Sequence, residues 1–495
     1  MGFNLVDDRW VPVTDLAGEF RLVSLRDSLV NGDQYREWSA RPHEKVALLR
    51  LHHCITHAAL GGPKLREDWS EVPSRFKDEV SKYLDTWHGS FELFDMDNPW
   101  LQMPGIDGPW TTPVAKLAFH LATGNNTLLF DQLGESRTVP IESTALDLLT
   151  SQCFDLAGRS SSVTLNGFST SLSKIDAPCV GSSVIHSYLR GSTLFETVWF
   201  SLPTYEGVTD RNKGLQIGVP IWEDPPRSTK DKGAINSINT YLGRLVPMSR
   251  FVLLKEGSQT ILLGEGLKYS PMLEATMTQV INRYGGKESL GVLKFRRDRA
   301  MWRELVAILS KSRGHTPITL RGLTEQKTCD LVVAAVFREQ SKINDVVESV
   351  YHVPWGLTTS GVVAYEAEVH HAEEIAQKLG FAIQTYRNLI DGGLEGKLKS
   401  DITGAVVSRL KASGMSKYWT YVEIHLSELF NYATQSESDE GLELQSKWRG
   451  SLLREAKQVY LEVCPTSSSR HLKAFSKGLS KIHVSRKVEE SITND

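Results

Sequence analysis

Residues 419–430, WTYVEIHLSELF, place Trp419, Val422, Leu426, Leu429 and Phe430 three or four positions apart, which gives one apolar stripe along a helix. Segments near 367–390, 400–413, 417–434, 442–462 and 468–486 share that period and carry little strand signal, so they predict a C-terminal four-helix bundle over residues 365–495. Upstream the pattern changes. Residues 3–25 alternate like a hairpin around the turn DLAGE (15–19). Residues 42–60, PHEKVALLRLHHCITHAAL, repeat apolar side chains at Leu48, Leu51, Ile55 and Ala59 and stop at Gly61-Gly62-Pro63, which predicts a helix with one buried face. A second helix is expected through 76–94. FVLL (251–254), TILLGEG (260–266) and LGVLKFRR (290–297) read as short strands, RAMWRELVAILS (299–310) as a helix, and 330–353 as a further β unit. The fold class is therefore α+β, with a large mixed body over residues 1–364 and the bundle behind it.

The chain has 495 residues, of which 40% are hydrophobic and 23% charged, enough for a substantial core in two to four domains. The formal net charge of -3 advertises no general affinity for nucleic acid, so any such contact must come from local patches. Five cysteines stand singly, without a C-x-x-C pair, which argues against a disulfide framework and a cysteine zinc site and suits a reducing compartment. Charges at Asp7, Asp8 and Arg9 occupy the place of a signal peptide's apolar segment, and no apolar run approaches the roughly 18 residues of a membrane span. The expectation is a cytoplasmic protein with no membrane partner.

Catalytic motifs are missing: there is no phosphate-binding loop, no G-x-S-x-G, no H-E-x-x-H and no dinucleotide fingerprint. Tyr284-Gly285-Gly286-Lys287 reads as a turn between strands. His53 and His57 share a helix face at a spacing that zinc ligands use, and a metal-dependent hydrolase built on them is one alternative function, a scaffold subunit without DNA contact being the other, but packed histidines are the plainer account of the pair. His370 and His371 with Glu373 and Glu374 read as the start of a helix, where acids suit the dipole. The expectation is no catalytic residue, no metal and no cofactor. Two Gly/Ser-rich stretches, 157–171 and 181–183, suggest a working surface. Between residues 445 and 487 ten basic residues face two acidic ones, and Lys473, Lys477 and Lys481 lie four apart, a stripe suited to a phosphate backbone or simply to a solvated bundle face.

Taken in order, FNLVDDRWVPV (3–13), SFELFDMDNPWLQMPG (90–105), TGNNTLLFDQ (123–132), YLRGSTLFETVWFSLP (188–203), NTYLGRLVPMSRFVLL (239–254) and DRAMWRELVAIL (298–309), followed by a helical bundle, resemble the CasA-type large subunit of the type I-E CRISPR surveillance complex, Cascade. The resemblance implies a non-enzymatic subunit that sits near the crRNA 5′ handle beside other Cascade subunits. Such a subunit recognises the protospacer-adjacent motif (PAM) in double-stranded target DNA, helps open the duplex, and recruits the helicase-nuclease. It implies that a DNA-facing loop matches residues 125–132, with Leu129, Phe130 and Asp131 at its tip, where apolar wedges gain contact beside bases. A glycine-rich loop matches Gly158, Arg159 and Ser160, with serines in place of most glycines. A PAM-reaching lysine matches Lys268, and a strand-separating hairpin matches Arg338, Glu339, Gln340, Ser341 and Lys342, with Gln340 as the blocking side chain. The basic bundle face would guide the displaced strand or meet neighbouring subunits.

Overall fold

The computed structural model describes residues 2–118, 121, 138–154, 163–169, 183–284, 287–310, 316–322, 329–339, 342–393 and 401–483. They form two compact units, Met1–Arg296 with Lys311–His352, and Arg297–Ser310 with Val353–Asp495. The boundary expected between residues 364 and 365 falls inside a helix, Thr359–Ile390, that Thr358 caps by accepting from the Gly361 N–H at 3.0 Å.

The first unit is organised around the helix Pro42–Leu60. Proline at its first position, the Glu44 carboxylate accepting from Arg41 N at 2.7 Å, and Gly61 in the left-handed conformation (φ 63°) fix its ends. Burial runs almost all the way round, including His43, His52, His53 and His57, so this is a core helix where a one-sided helix was expected. It lies against a three-stranded antiparallel sheet in the order Lys342–His352, Asp330–Glu339, Ile185–Arg190. Leu331 through Val336 are buried on both faces of the central strand, which is why LVVAAV is a continuous apolar run rather than an alternating one.

Other local readings shift. The second helix is Arg66–Thr86, ten residues earlier than expected, with Pro73 inside it; Asp68 secures its start by accepting from Lys64 N at 3.0 Å and Leu65 N at 2.9 Å. Residues 3–8 do not form the first arm of a hairpin. Asn4 makes a single bridge to Glu92 and its side chain accepts from Val6 N at 2.9 Å, turning the chain, because short polar side chains compete with a strand ladder for backbone groups. The hairpin around residues 15–19 does form, from Val11–Asp15 and Phe20–Val23, and Tyr35–Trp38 adds the third strand of the N-terminal sheet. The helix expected at 299–310 is a 3-10 turn, Met301–Glu304, leading into Leu305–Leu309.

In the second unit the helices Thr359–Ile390, Asp401–Glu423 and Gly441–Val463 are long, and Leu426–Thr434 and Ser469–Leu479 are shorter. A break expected near 413–417 does not occur. Gly414 continues its helix because a Cβ there would stand 2.6 Å from Ile383 Cδ1, so the residue serves close helix packing rather than a stop. The break falls after Glu423, within residues 419–430, and Val422 and Leu429 remain fully buried on either side of it.

Candidate nucleic-acid interface

The hairpin of Asp330–Glu339 and Lys342–His352 pairs Arg338 with Ile343 and Glu339 with Lys342, with a bulge between Phe337 and Arg338. Gln340 and Ser341, between the paired ends, lie outside the described residues. Arg338 faces inward. Its backbone N–H donates to Ser183 Oγ at 3.1 Å and its guanidinium donates to the Phe154 carbonyl. Phe154 ends the helix Ile141–Phe154, the last described stretch before Gly158, Arg159 and Ser160, which are themselves outside the described residues. Edge contacts of the Phe154 ring with His43 and His186 hold that helix end, at centroid distances of 6.3 and 5.8 Å. Burial, aided for His43 by the nearby Arg41 and Arg338 charges, pushes both histidines down to about 3, so they act as neutral packing groups. The structure thus brings together the root of the hairpin, the end of the helix that precedes Gly158, and Ser183, the last residue of the second Gly/Ser-rich stretch.

Lys268 follows the strand Thr260–Glu265 and is exposed between buried Leu267 and Tyr269. Leu267 N donates to Met248 O at 2.9 Å, and Tyr269 Oη accepts from Met248 N at 2.8 Å and lies 2.7 Å from Ser237 Oγ. With both neighbours pinned inward, the lysine side chain is presented to solvent. Gly266 permits the crossing, since a Cβ there would stand 2.3 Å from the Ser249 carbonyl carbon. At the other end of the strand, Gln259 accepts from Val139 N through Oε1 at 2.8 Å and from Val114 N through its own carbonyl at 2.9 Å. The segment carrying Leu129, Phe130 and Asp131 lies outside the described residues; Val139, just after it, is therefore anchored one strand length, about 20 Å, from the end that presents Lys268.

In the second unit Lys473 and Lys477 are exposed on Ser469–Leu479, and Lys481, just past the helix, holds Nζ 5.9 Å from the Phe381 ring centroid. Part of the basic excess is neutralised internally. Arg449 grips the fully buried Glu368 carboxylate at 2.7 and 3.1 Å, and Arg454 lies 3.1 Å from Glu455. His370 and His371 sit mid-helix, not at a helix start, and Glu373 pairs with Arg299 at 2.6 Å and Arg303 at 2.8 Å, so the dipole reading of that cluster is replaced by an ion-pair network. Sequence reading missed this network because its members lie 70 and 74 residues apart.

The histidine pair is structural. His53 Nε2 lies 3.1 Å from Val198 O and His57 Nδ1 3.2 Å from Gly62 O, with His57 stacked on Tyr205. Among the described residues no group of three His, Cys, Asp or Glu side chains is placed to hold a metal ion, so the donor set for the hydrolase alternative is lacking there. No helix among the described residues is long and apolar enough to cross a membrane.

Comparison with known proteins gives a consistent outcome. Residues 4–459 match the sequence model of the family described as CRISPR-associated protein Cse1. A CRISPR-associated protein CasA/Cse1 of Thermus thermophilus is 27% identical over 503 residues, 96% of this chain and 95% of that one. Among solved structures, Thermus thermophilus CasA superposes with a TM-score of 0.77 at 21% identity, covering 97% of this chain and 98% of that one. Thermobifida fusca Cse1 gives 0.75 at 17% identity, covering 97% of each chain. A chain of a CRISPR RNA-guided surveillance complex gives 0.75 at 17% identity, covering 97% of this chain and 99% of that one.

Proposed function

The chain belongs to the CRISPR-associated Cse1 family, and from that premise we propose that it is a non-catalytic subunit of a crRNA-guided surveillance complex that recognises a PAM in duplex DNA and helps to open the duplex. It would sit beside the other Cascade subunits near the crRNA 5′ handle and recruit the helicase-nuclease. The observation that carries the reading is the locked root of the Asp330–His352 hairpin, where Arg338 ties the strand to the end of Ile141–Phe154 just ahead of Gly158. A hairpin meant to hold base pairs apart needs a rigid base, and a buried guanidinium bonded to a helix-terminal carbonyl supplies one. Unstacking one base step costs only a few kcal/mol, so a single side chain at the tip, Gln340, is a sufficient wedge. Lys268, exposed between two pinned residues, is the group in this reading that reaches the motif, and the resemblance assigns Leu129, Phe130 and Asp131 to the same task. Asp131 accepts a hydrogen bond from a guanine amino group in the minor groove more readily than it approaches phosphate, which bears on which motifs are preferred.

The test has two steps. Tagged chain expressed with its native partners is purified and the particle is assayed for a bound crRNA. The particle is then titrated with target duplexes that differ only in the motif. Co-purification with crRNA and a motif-dependent affinity are expected. A particle that binds both duplexes equally would leave the chain a scaffold.

A further inference from the structure

Residues 163–169, VTLNGFS, set Asn-Gly between Leu165 and Phe168. The backbone φ is positive at both turn residues, 51° at Asn166 and 80° at Gly167. That is what the tightest hairpin turn requires, and it closes the pairs Thr164–Ser169 and Leu165–Phe168. Two strands alone would be marginal in water, but Ile106–Asp107 adds a third, with Ile106 opposite Leu165 and Asp107 opposite Thr164. Residues directly opposite one another share a face of the sheet, so Ile106, Leu165 and Phe168 form one row. Its inner members are buried in the core, at 5% and 8% exposure, and fix the register. Its outer member, Phe168, is 79% exposed, the most exposed phenylalanine or tryptophan among the described residues. A rigid hairpin thus carries an apolar ring outward at the edge of a sheet whose remaining apolar row is already covered.

We infer that Phe168 is a further DNA-contacting residue, an apolar wedge at a base step of the duplex beside Gly158, Arg159 and Ser160. Ser160 precedes Leu165 by five residues, a span of at most about 18 Å, and the cross-strand step from Leu165 to Phe168 adds about 5 Å. A duplex held at Ser160 therefore lies within about seven base-pair steps of the ring. None of residues 163–169 is charged, so the hairpin has no means of gripping phosphate, and what it offers is shape. Phenylalanine set on a fixed element is one of the side chains that enter between base steps from the minor groove, where insertion needs no hydrogen-bond readout. A protein partner fits less well. One ring supplies roughly 150–250 Å² of contact against the roughly 800 Å² per side of a stable interface, and Ile106 and Leu165 have no surface left to extend it. The assignment rests on the duplex-recognising role proposed above, and adds to it a contact that is independent of charge.

The experiment uses the assembled particle with motif-bearing duplexes that carry 2-aminopurine at successive positions, titrated over a range of salt. Phe168→Thr removes the ring and keeps a β-branched residue suited to the strand, and Phe168→Trp keeps a ring. Phe168→Thr is expected to weaken duplex binding about tenfold, the size of one lost base–aromatic contact, and to abolish the rise in fluorescence at one step, with the log-log salt slope unchanged. Phe168→Trp is expected to retain both. Equal affinity of wild type and Phe168→Thr, a lowered salt slope, or loss of crRNA or other subunits from the Phe168→Thr particle would each overturn the inference, the last by making the hairpin a protein-docking element. A wild-type particle that does not distinguish motifs counts against the proposed function, whereas one that distinguishes them and is matched by Phe168→Thr counts against this inference alone.

Discussion

Lys268 and Gly266, two positions apart, divide the work of one loop. Gly266 lets the backbone pass against Ser249 and Arg250, while Lys268 is held outward by buried neighbours. Replacing Lys268 by Ala should leave thermal stability within about 0.5 kcal/mol of wild type, as at other exposed positions, while the assembled particle loses about 1–3 kcal/mol of affinity for motif-bearing duplex. Gly266→Ala should do the reverse, costing about 1–3 kcal/mol of stability through overpacking against backbone that has no room to yield. Thermal melts and duplex titrations on both variants separate the roles, and unchanged duplex binding by Lys268→Ala would remove that residue from the interface. Lys268 was singled out in the sequence only through the family resemblance, and its exposure after a strand end flanked by Gly266 is what the structure adds. The inward turn of Arg338 was not legible in the sequence, since strand alternation alone cannot reveal the bulge at Phe337/Arg338 that re-aims its side chain toward Phe154.

At the scale of elements, the helix Pro42–Leu60 shows what periodicity does and does not convey. Its existence followed from Leu48, Leu51, Ile55 and Ala59, but its burial on every side depends on elements far away in sequence that cover it, and four of its residues are histidines. Burial pushes His43 and His57 down to about 3 and His52 to about 4, and puts His53 well below its ordinary value; His186, on the adjoining sheet, falls to about 3. In each case the folded form binds a proton less readily than the unfolded chain. Their stabilising effect is therefore complete above about pH 6.5 and is lost as pH falls toward the folded values, at about 1.4 kcal/mol per histidine per pH unit. Asp147, raised to about 7 chiefly by burial and further by the Glu44 charge, and Glu223, also raised by burial, work in the opposite direction but are fewer than the histidines. The melting temperature should drop steeply between pH 7 and pH 5, and a midpoint flat across that range would mean the histidines are not neutral in the fold. The hairpin gives a second contrast between neighbouring residues. Arg338→Ala should destabilise the first unit by about 1–3 kcal/mol, because the Phe154 carbonyl loses a charged donor, whereas Gln340→Ala should leave melting unchanged and slow duplex opening by the particle. Opening followed by 2-aminopurine fluorescence beside the motif checks this, and wild-type rates for Gln340→Ala would remove it as the wedge.

Over the whole molecule a net charge of -3 conceals local excess, and the bundle shows which part of that excess faces outward. The ten-to-two imbalance of residues 445–487 was plain in the sequence, but its partial cancellation inside the fold was not, because Glu368 lies 81 residues from the arginine that neutralises it. Arg449 belongs to the fold. Its loss would leave the buried Glu368 carboxylate with a hydrogen bond from Gln445 at 2.7 Å but without its cation, so Arg449→Gln should cost about 1–3 kcal/mol of stability in the second unit. Lys473 and Lys477 lie on the outside of the same bundle, and their reversal to Glu should barely alter melting. If they meet the phosphates of a displaced strand, each one lost removes a site of counterion release, and the log-log salt slope of target binding by the assembled particle should fall by about 0.7 per lysine, about 1.4 for the pair. Affinity at low salt would then drop while affinity at high salt converges on that of wild type, because screening removes in both proteins what the mutation removes in one. Two parallel salt titrations decide it. A double reversal whose slope matches wild type would return Lys473 and Lys477 to a solvated surface.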